Sequence, residues 1–139
     1  MAVEQTLILA KPDAVGRNLA GEIMARFERR GLTLRAARLV TASRSLGEEH
    51  YAEHSEKPFF GELVEFITSG PTLAMVFEGE GAVATCRVTI GATNPAEAKP
   101  GSLRGTYSLA MPNNLVHGSD SPESAEREIA LWFPDGLVG

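Results

Sequence analysis

Five consecutive residues, His117-Gly118-Ser119-Asp120-Ser121, gather an imidazole, a carboxylate and two hydroxyls between the strand-like pair Leu115-Val116 and the start of a helix. A helix N-terminus offers free backbone N–H groups and the positive end of a dipole to an anion. Neutral imidazole exists at pH 7 and attacks without help from a base, so a histidine placed there is a candidate nucleophile. A surface histidine in a turn is the competing reading of the same residues. Two further signals are charges set into apolar stripes. Arg87 shares a helical face with Val83, Cys86 and Ile90, and Glu128 shares one with Ala125, Ile129 and Trp132. Both are sent inward or to a cleft edge, where an unpaired charge is costly and needs a partner or ligand. A purely structural pairing, or a place at the margin of the stripe, is the plainer alternative.

Lys11 directly follows the first strand, at the kind of strand end where α/β sheets collect ligands, and Arg104 stands in a long loop. Each also reads as a solvated surface charge. His50 and His54 have the i, i+4 spacing of a metal pair, but a solvated helix face is the preferred reading. Neither Gly16-Arg17-Asn18 nor Gly91-Ala92-Thr93 forms a Walker loop, and no Rossmann glycine fingerprint occurs. Nucleotide chemistry therefore needs another phosphate-binding device.

The elements that must position these residues follow from periodicity. Val3 to Ala10 reads as a strand running into a loop at Lys11-Pro12-Asp13. Ala20, Ile23, Met24 and Phe27 mark an amphipathic helix closed by Gly31, and Leu32 to Thr41 reads as a second strand. Ser45 with Glu48 resembles a capping box opening a short helix through Tyr51. Phe60, Leu63, Val64 and Ile67 form a helical stripe, while Phe59 and Phe66 leave that helix apolar on a second side, which should face a ligand or another subunit. Pro71 to Gly79 is nearly continuous apolar sequence, as in a strand buried on both faces and central in its sheet. A helix over Gly81 to Ile90 follows, then a structureless and by that token functional tract over Gly91 to Asn114. Leu115-Val116 makes a short last strand, and Ser121-Pro122-Glu123 caps a helix ending near Phe133. Strands and helices interleaved in this order suit an α/β sandwich.

At 139 residues the chain reads as one domain, 1–139. With 43% hydrophobic and 22% charged residues, disorder and fibrous architectures are excluded. No apolar run approaches the length of a membrane span, and Met1 to Gln5 lacks the pattern of a secretory signal, so a cytoplasmic protein is expected. One cysteine, Cys86, fits a reducing compartment. The net charge of −5 runs against a nucleic-acid binder, so any anion must meet a local cluster of cations.

Taken in order along the chain, several short segments closely resemble the nucleoside diphosphate kinase family over essentially the full length. They are Lys11-Pro12-Asp13-Ala14-Val15, His50-Tyr51, Lys57-Pro58-Phe59-Phe60, Ser69-Gly70-Pro71, Ile90-Gly91-Ala92-Thr93-Asn94-Pro95, Pro100-Gly101-Ser102-Leu103-Arg104-Gly105 and Asn114-Leu115-Val116-His117-Gly118-Ser119-Asp120-Ser121. The resemblance implies a ferredoxin-like α/β (α+β) sandwich, βαββαβ, with a four-stranded antiparallel sheet covered by helices. It also implies a ping-pong reaction in which a nucleoside triphosphate gives its γ-phosphoryl group to the pros nitrogen of His117 and a nucleoside or deoxynucleoside diphosphate takes it away. Mg²⁺ would ride on the nucleotide phosphates, with no protein ligand. Lys11, Tyr51, Arg87, Thr93, Arg104 and Asn114 would contact phosphates or ribose, Phe59 would pack on the base, and Glu128 and Ser119 would orient His117. A homo-oligomer is implied, a hexamer before a dimer-based tetramer, with the loop around Pro95 to Gly105 at threefold contacts. Thr106 and Asn113 depart from the aspartate and arginine common in relatives. An RNA-binding ferredoxin-like module is the alternative reading, and a catalytically dead homologue a third, against which the intact set of Lys11, Arg87, Arg104, Asn114 and His117 argues.

Overall fold

The computed structural model describes residues 2–111 and 113–137, so that Met1 of the N-terminal segment and Pro112 of the long tract lie outside the described residues. Strands β1 (Val3–Ala10), β2 (Thr33–Val40), β3 (Thr72–Glu80) and β4 (Val116–Gly118) form one sheet in the order β2-β3-β1-β4. All three pairings are antiparallel. The helices are α1 (Pro12–Gly16), α2 (Ala20–Arg29), α3 (Arg44–His50), α4 (Phe60–Ile67), α5 (Ala82–Ile90), α6 (Leu103–Tyr107) and α7 (Pro122–Trp132). The βαββαβ order of the ferredoxin-like fold is carried by β1-α2-β2-β3-α5-β4, with α3 and α4 inserted between β2 and β3.

The twofold period of β1 and β3 explains their unbroken apolar sequence. Ile8 and Ala10 with Met75 and Phe77 face a core closed by Ile23 and Phe27 of α2 and Cys86 and Ile90 of α5. The alternate residues, Leu7 and Leu9 with Ala74 and Val76, face a second core closed by Ile67 of α4 and Trp132 of α7. With helices on both sheet faces, the described residues leave no open sheet to display aromatic rings to bases, and the RNA-binding reading loses its surface.

Four local expectations need correction. The loop after β1 contains a helical turn, α1, because Pro12 at its first position already has a helical φ and no N–H to satisfy. The cap of α3 is Ser43, whose hydroxyl accepts from the Leu46 N–H at 3.1 Å, rather than Ser45. The tract after α5 is not structureless: Asn94 caps a 3-10 turn at Pro95–Glu97, and Ser102 caps α6 by accepting from the Gly105 N–H at 3.0 Å. Leu115 does not open β4, since its φ of 67° lies in the left-handed region.

Two features lock β4 in place. Leu9 pairs with His117 and Ala10 with Val116, so the end of β1 and the start of the His117 segment lie side by side. A Cβ on Gly118 would stand 2.6 Å from Cδ1 of Ile90, so a side chain there would force the end of Ile90 to move where α5 crosses β4. The strained Leu115 is held at both ends: its carbonyl accepts from the Lys11 N–H at 2.8 Å, and its N–H donates to Oδ2 of Asp13 at 3.0 Å.

Candidate active site

On the Leu9 side of the sheet, β4 presents His117 to α7 and α3 at the floor of a cleft of about 1080 Å³. The threefold and sevenfold spacing of Ala125, Glu128 and Trp132 buries one face of α7, and that face carries the Glu128 carboxylate to His117. Nε2 of His117 lies 2.8 Å from Oε1 of Glu128. A carboxylate only accepts, so the proton sits on Nε2 and the lone pair on Nδ1. Ser119, fully buried, donates its hydroxyl to the same Oε1 at 2.8 Å and accepts from the Leu7 N–H at 3.2 Å, tying Glu128 to β1. Burial by itself raises the Glu128 pKa, but the hydrogen bond and charge of His117 outweigh it and hold the carboxyl at about 2.

Three cations line the cleft above this pair. Lys11 is buried, donates to Oδ1 of Asn114 and lies 5.4 Å from the centre of the Phe66 ring. Burial, opposed by Asp13 and reinforced by Arg104, lowers its pKa to about 8. Arg104, in the first turn of α6, spends its guanidinium on the carbonyls of Asn114, Gly91 and Val116 at 3.1, 3.0 and 2.6 Å. Burial first, then Arg87, brings it to about 10. Arg87, on the inner face of α5, donates to the Gly118 carbonyl at 3.3 Å and pairs with Asp120 at 3.0 Å. Asn114 also donates to the Thr93 carbonyl at 3.0 Å, which joins the long tract to Lys11. Burial and the charge of Glu128 push the Tyr51 phenol up to about 12, leaving it a neutral donor.

The structure thus gathers Lys11, Tyr51, Phe59, Arg87, Thr93, Arg104, Asn114, His117 and Glu128 around one cleft, with Ser119 directly behind Glu128. Arg87 and Glu128 lie where their stripes sent them. Phe59 stands at the rim, 43% exposed, its ring 5.9 Å from that of His54. The second apolar side of α4, Phe59 and Phe66, together with Leu63 of the first stripe, forms a wall of this cleft.

Two cleft residues differ from what their sequence context suggests. His50 is not on a solvated face: it is 3% exposed, and the chain bends at Tyr51 so that His54 belongs to a separate 3-10 turn. Its ring packs 4.6 Å from that of His117. Its position between Gly47 and Tyr51, at the last turn of a helix with a buried face, was the available signal. Asp120, which the sequence offers only as part of the His117 segment, holds Arg87.

The only compact cluster of potential metal ligands among the described residues is His50, His117 and Glu128. Two nitrogens and one hydrogen-bonded carboxylate do not make the oxygen cage that a hard divalent cation requires.

A family model described as nucleoside diphosphate kinase matches residues 4–138. A nucleoside diphosphate kinase of Frankia casuarinae is 63% identical over 134 residues, covering 96% of this chain and 98% of that protein. Nucleoside diphosphate kinase 1 of Spinacia oleracea is 54% identical over 136 residues, covering 98% and 92%. Among solved structures, a halophilic nucleoside diphosphate kinase from Halobacterium salinarum in complex with CDP superimposes with a TM-score of 0.95 at 46% identity, covering 99% of this chain and 93% of that one. An apo nucleoside diphosphate kinase from Encephalitozoon cuniculi gives 0.94 at 46% identity, covering 98% and 92%.

Proposed function

Because the chain belongs to the nucleoside diphosphate kinase family, we propose that His117 is the residue that carries the phosphoryl group between nucleotides. The overall activity is transfer of the γ-phosphoryl group from a nucleoside triphosphate to a nucleoside diphosphate. The observation that supports the assignment of His117 is its bond to Glu128: with Nε2 engaged, Nδ1 is the nitrogen left with a lone pair. That lone pair forms a bond to the γ-phosphorus as the bond to the bridging oxygen breaks and the diphosphate leaves with its electrons. The proton on Nε2 stays, so the ring becomes an imidazolium, and the Glu128 carboxylate balances its charge. A second diphosphate reverses the step.

Phosphoryl transfer depends on in-line placement and on cancelling oxygen charge more than on acid–base chemistry. Lys11, Arg87 and Arg104 supply that charge, Tyr51, Thr93 and Asn114 add uncharged contacts to phosphate or ribose, and Phe59 stacks on the base. Stacking uses the face every base shares, so base tolerance is broad. Relatives in this family require a divalent cation. Here we assign Mg²⁺, which would be held through the nucleotide phosphates rather than by protein side chains and would supply charge neutralisation beside Lys11, Arg87 and Arg104. Incubating the protein with γ-labelled ATP, isolating it and adding unlabelled diphosphate tests the scheme. Label on the protein that then moves to nucleotide supports it, and a protein that never takes label refutes it.

The lowered pKa of Lys11 gives the reaction an alkaline limit. Below about 8 the free enzyme keeps its ammonium, and above that value the charge is lost, so kcat/KM falls as pH rises past about 8. Saturating nucleotide moves that limb to higher pH, since bound phosphate favours the charged form. A kcat/KM profile flat from about pH 7 to 9 contradicts this role.

We further assign a cytoplasmic location, where the single free thiol of Cys86 stays reduced, and a hexameric assembly. Among the described residues no helix is long and apolar enough to cross a membrane. The ground for the hexamer is the resemblance to the family, with Pro100-Gly101 kept in the long tract, and Leu39 on edge strand β2, Val88 on α5 and Leu109 are exposed apolar residues open to subunit contacts. Light scattering near six times 14.9 kDa is the expected result. A mass near four times that value selects the tetramer, and a monomer at micromolar concentration removes the assembly argument.

A further inference from the structure

His50 is a buried titratable group in the cleft to which the transfer scheme gives no task. Its Nδ1 accepts a hydrogen bond from the indole Nε1–H of Trp132 at 3.1 Å. An indole only donates, so Nδ1 keeps its lone pair, the proton sits on Nε2, and the ring is uncharged while this bond lasts. The ring stands nearly perpendicular to that of His117, at 76° with centroids 4.6 Å apart, and to that of Tyr51, at 80° and 4.7 Å. Arg127 of α7 donates to the carbonyls of Glu49 and His50 at 3.0 and 3.3 Å, which pins the last turn of α3 against α7.

The torsion that turns a histidine ring about its Cβ–Cγ bond is soft, so one hydrogen bond at Nε2 does not by itself define the direction of Nδ1. We propose that His50 is a positioning residue for the nucleophile: an uncharged imidazole, fixed in its Nε2–H tautomer by Trp132, that packs across the His117 ring and keeps Nδ1 aimed into the cleft. The proposal rests on His117 being the phosphoryl acceptor. The absence of charge matters because His117 itself becomes a cation during the attack, 4.6 Å away.

The groups facing His50 agree with this role. His117 lies on β4, Glu128 and Arg127 on α7, Lys11 at the end of β1, and the Tyr51 phenol next in sequence. Burial, then His117, lower its pKa, Arg127 and Lys11 add to them, and the opposing charge of Glu128 does not reverse the sum. His50 therefore resists protonation well below the ordinary range of histidine.

Trp132→Phe keeps an aromatic ring in the core but removes the donor, so His50 gains access to a second proton. Its kcat profile should show an acid limb displaced to higher pH than in the unaltered enzyme, with KM for nucleotide unchanged at alkaline pH. His50→Gln, which cannot be protonated, should lower kcat roughly ten- to a hundredfold at every pH, as misplacement of a reacting group does, without displacing the limb. Combining the two changes should return the limb to its original position. A limb that stays in place in Trp132→Phe, or a KM that rises in step with a falling kcat, overturns the proposal. If Trp132→Phe fails to fold, an undiminished kcat in His50→Gln overturns it equally. Labelling of the unaltered enzyme separates the two levels: no label defeats the reading of His117 and this proposal with it, whereas normal labelling beside an unmoved limb defeats only the role of His50.

Discussion

His117→Ala is expected to reduce transfer by at least about 10⁴-fold, as loss of a covalent nucleophile does, while the far-ultraviolet spectrum stays that of the folded protein. The side chain projects from the short edge strand β4 into the cleft and belongs to neither apolar core, so its removal leaves both cores intact. The same variant has a stability signature. The Glu128 carboxyl in the fold lies at about 2 against an ordinary 4.5, a depressed value. Its stabilising contribution is therefore complete above about pH 4.5 and is lost as pH falls from there toward about 2. Without His117, the largest influence lowering that value is gone, and melting temperature should fall less steeply over this acid range than in the unaltered protein. Residual turnover above about one per cent would place the covalent step on another residue.

The two cleft arginines should part company when each is changed to alanine. Arg104→Ala removes a cation from the transferring group and also strips three backbone carbonyls of their donor. Turnover should drop about 10²- to 10³-fold, as loss of one charge-stabilising donor typically does. Stability should drop by at least ~2 kcal/mol, since buried acceptors left unpaired cost on that order each. Arg87→Ala should match the kinetic loss with a smaller fall in melting temperature, because it gives up one long bond, to the Gly118 carbonyl at 3.3 Å, and a substantially exposed pair with Asp120 that contributes little. Near-normal turnover in either variant would remove that arginine from the reaction. Equal melting temperatures in the two would contradict the structural duty given to Arg104.

Much of this site is legible in the sequence because charge is out of place there. A glutamate among Ala125, Ile129 and Trp132, and an arginine among Val83, Cys86 and Ile90, betray themselves by helical period alone. The strand Thr72–Glu80 shows its central place through residues alternately buried on both faces. Prolines and glycines after Ile90 hid the turn at Pro95–Glu97 and helix α6, because caps as short as Asn94 and Ser102 carry a weak signal amid breakers. His50 was hidden for a different reason. Its environment comes from Trp132, 82 positions away, and from β4, and no local pattern encodes a contact between such distant residues. The left-handed Leu115 is equally silent, being held by Lys11 and Asp13 from across the fold.

The central claim concerns one atom, and phosphorus NMR of the isolated phosphoenzyme addresses it directly. The two ring nitrogens of a phosphohistidine give distinct resonances, and the enzyme can be loaded with triphosphate, freed of nucleotide and denatured in alkali, where such N–P bonds persist. With Nε2 bound to Glu128, the signal should be that of a phosphoryl group on Nδ1 of His117, and it should vanish on adding a nucleoside diphosphate before denaturation. A signal from the Nε2 isomer, or from any residue other than His117, would contradict the account.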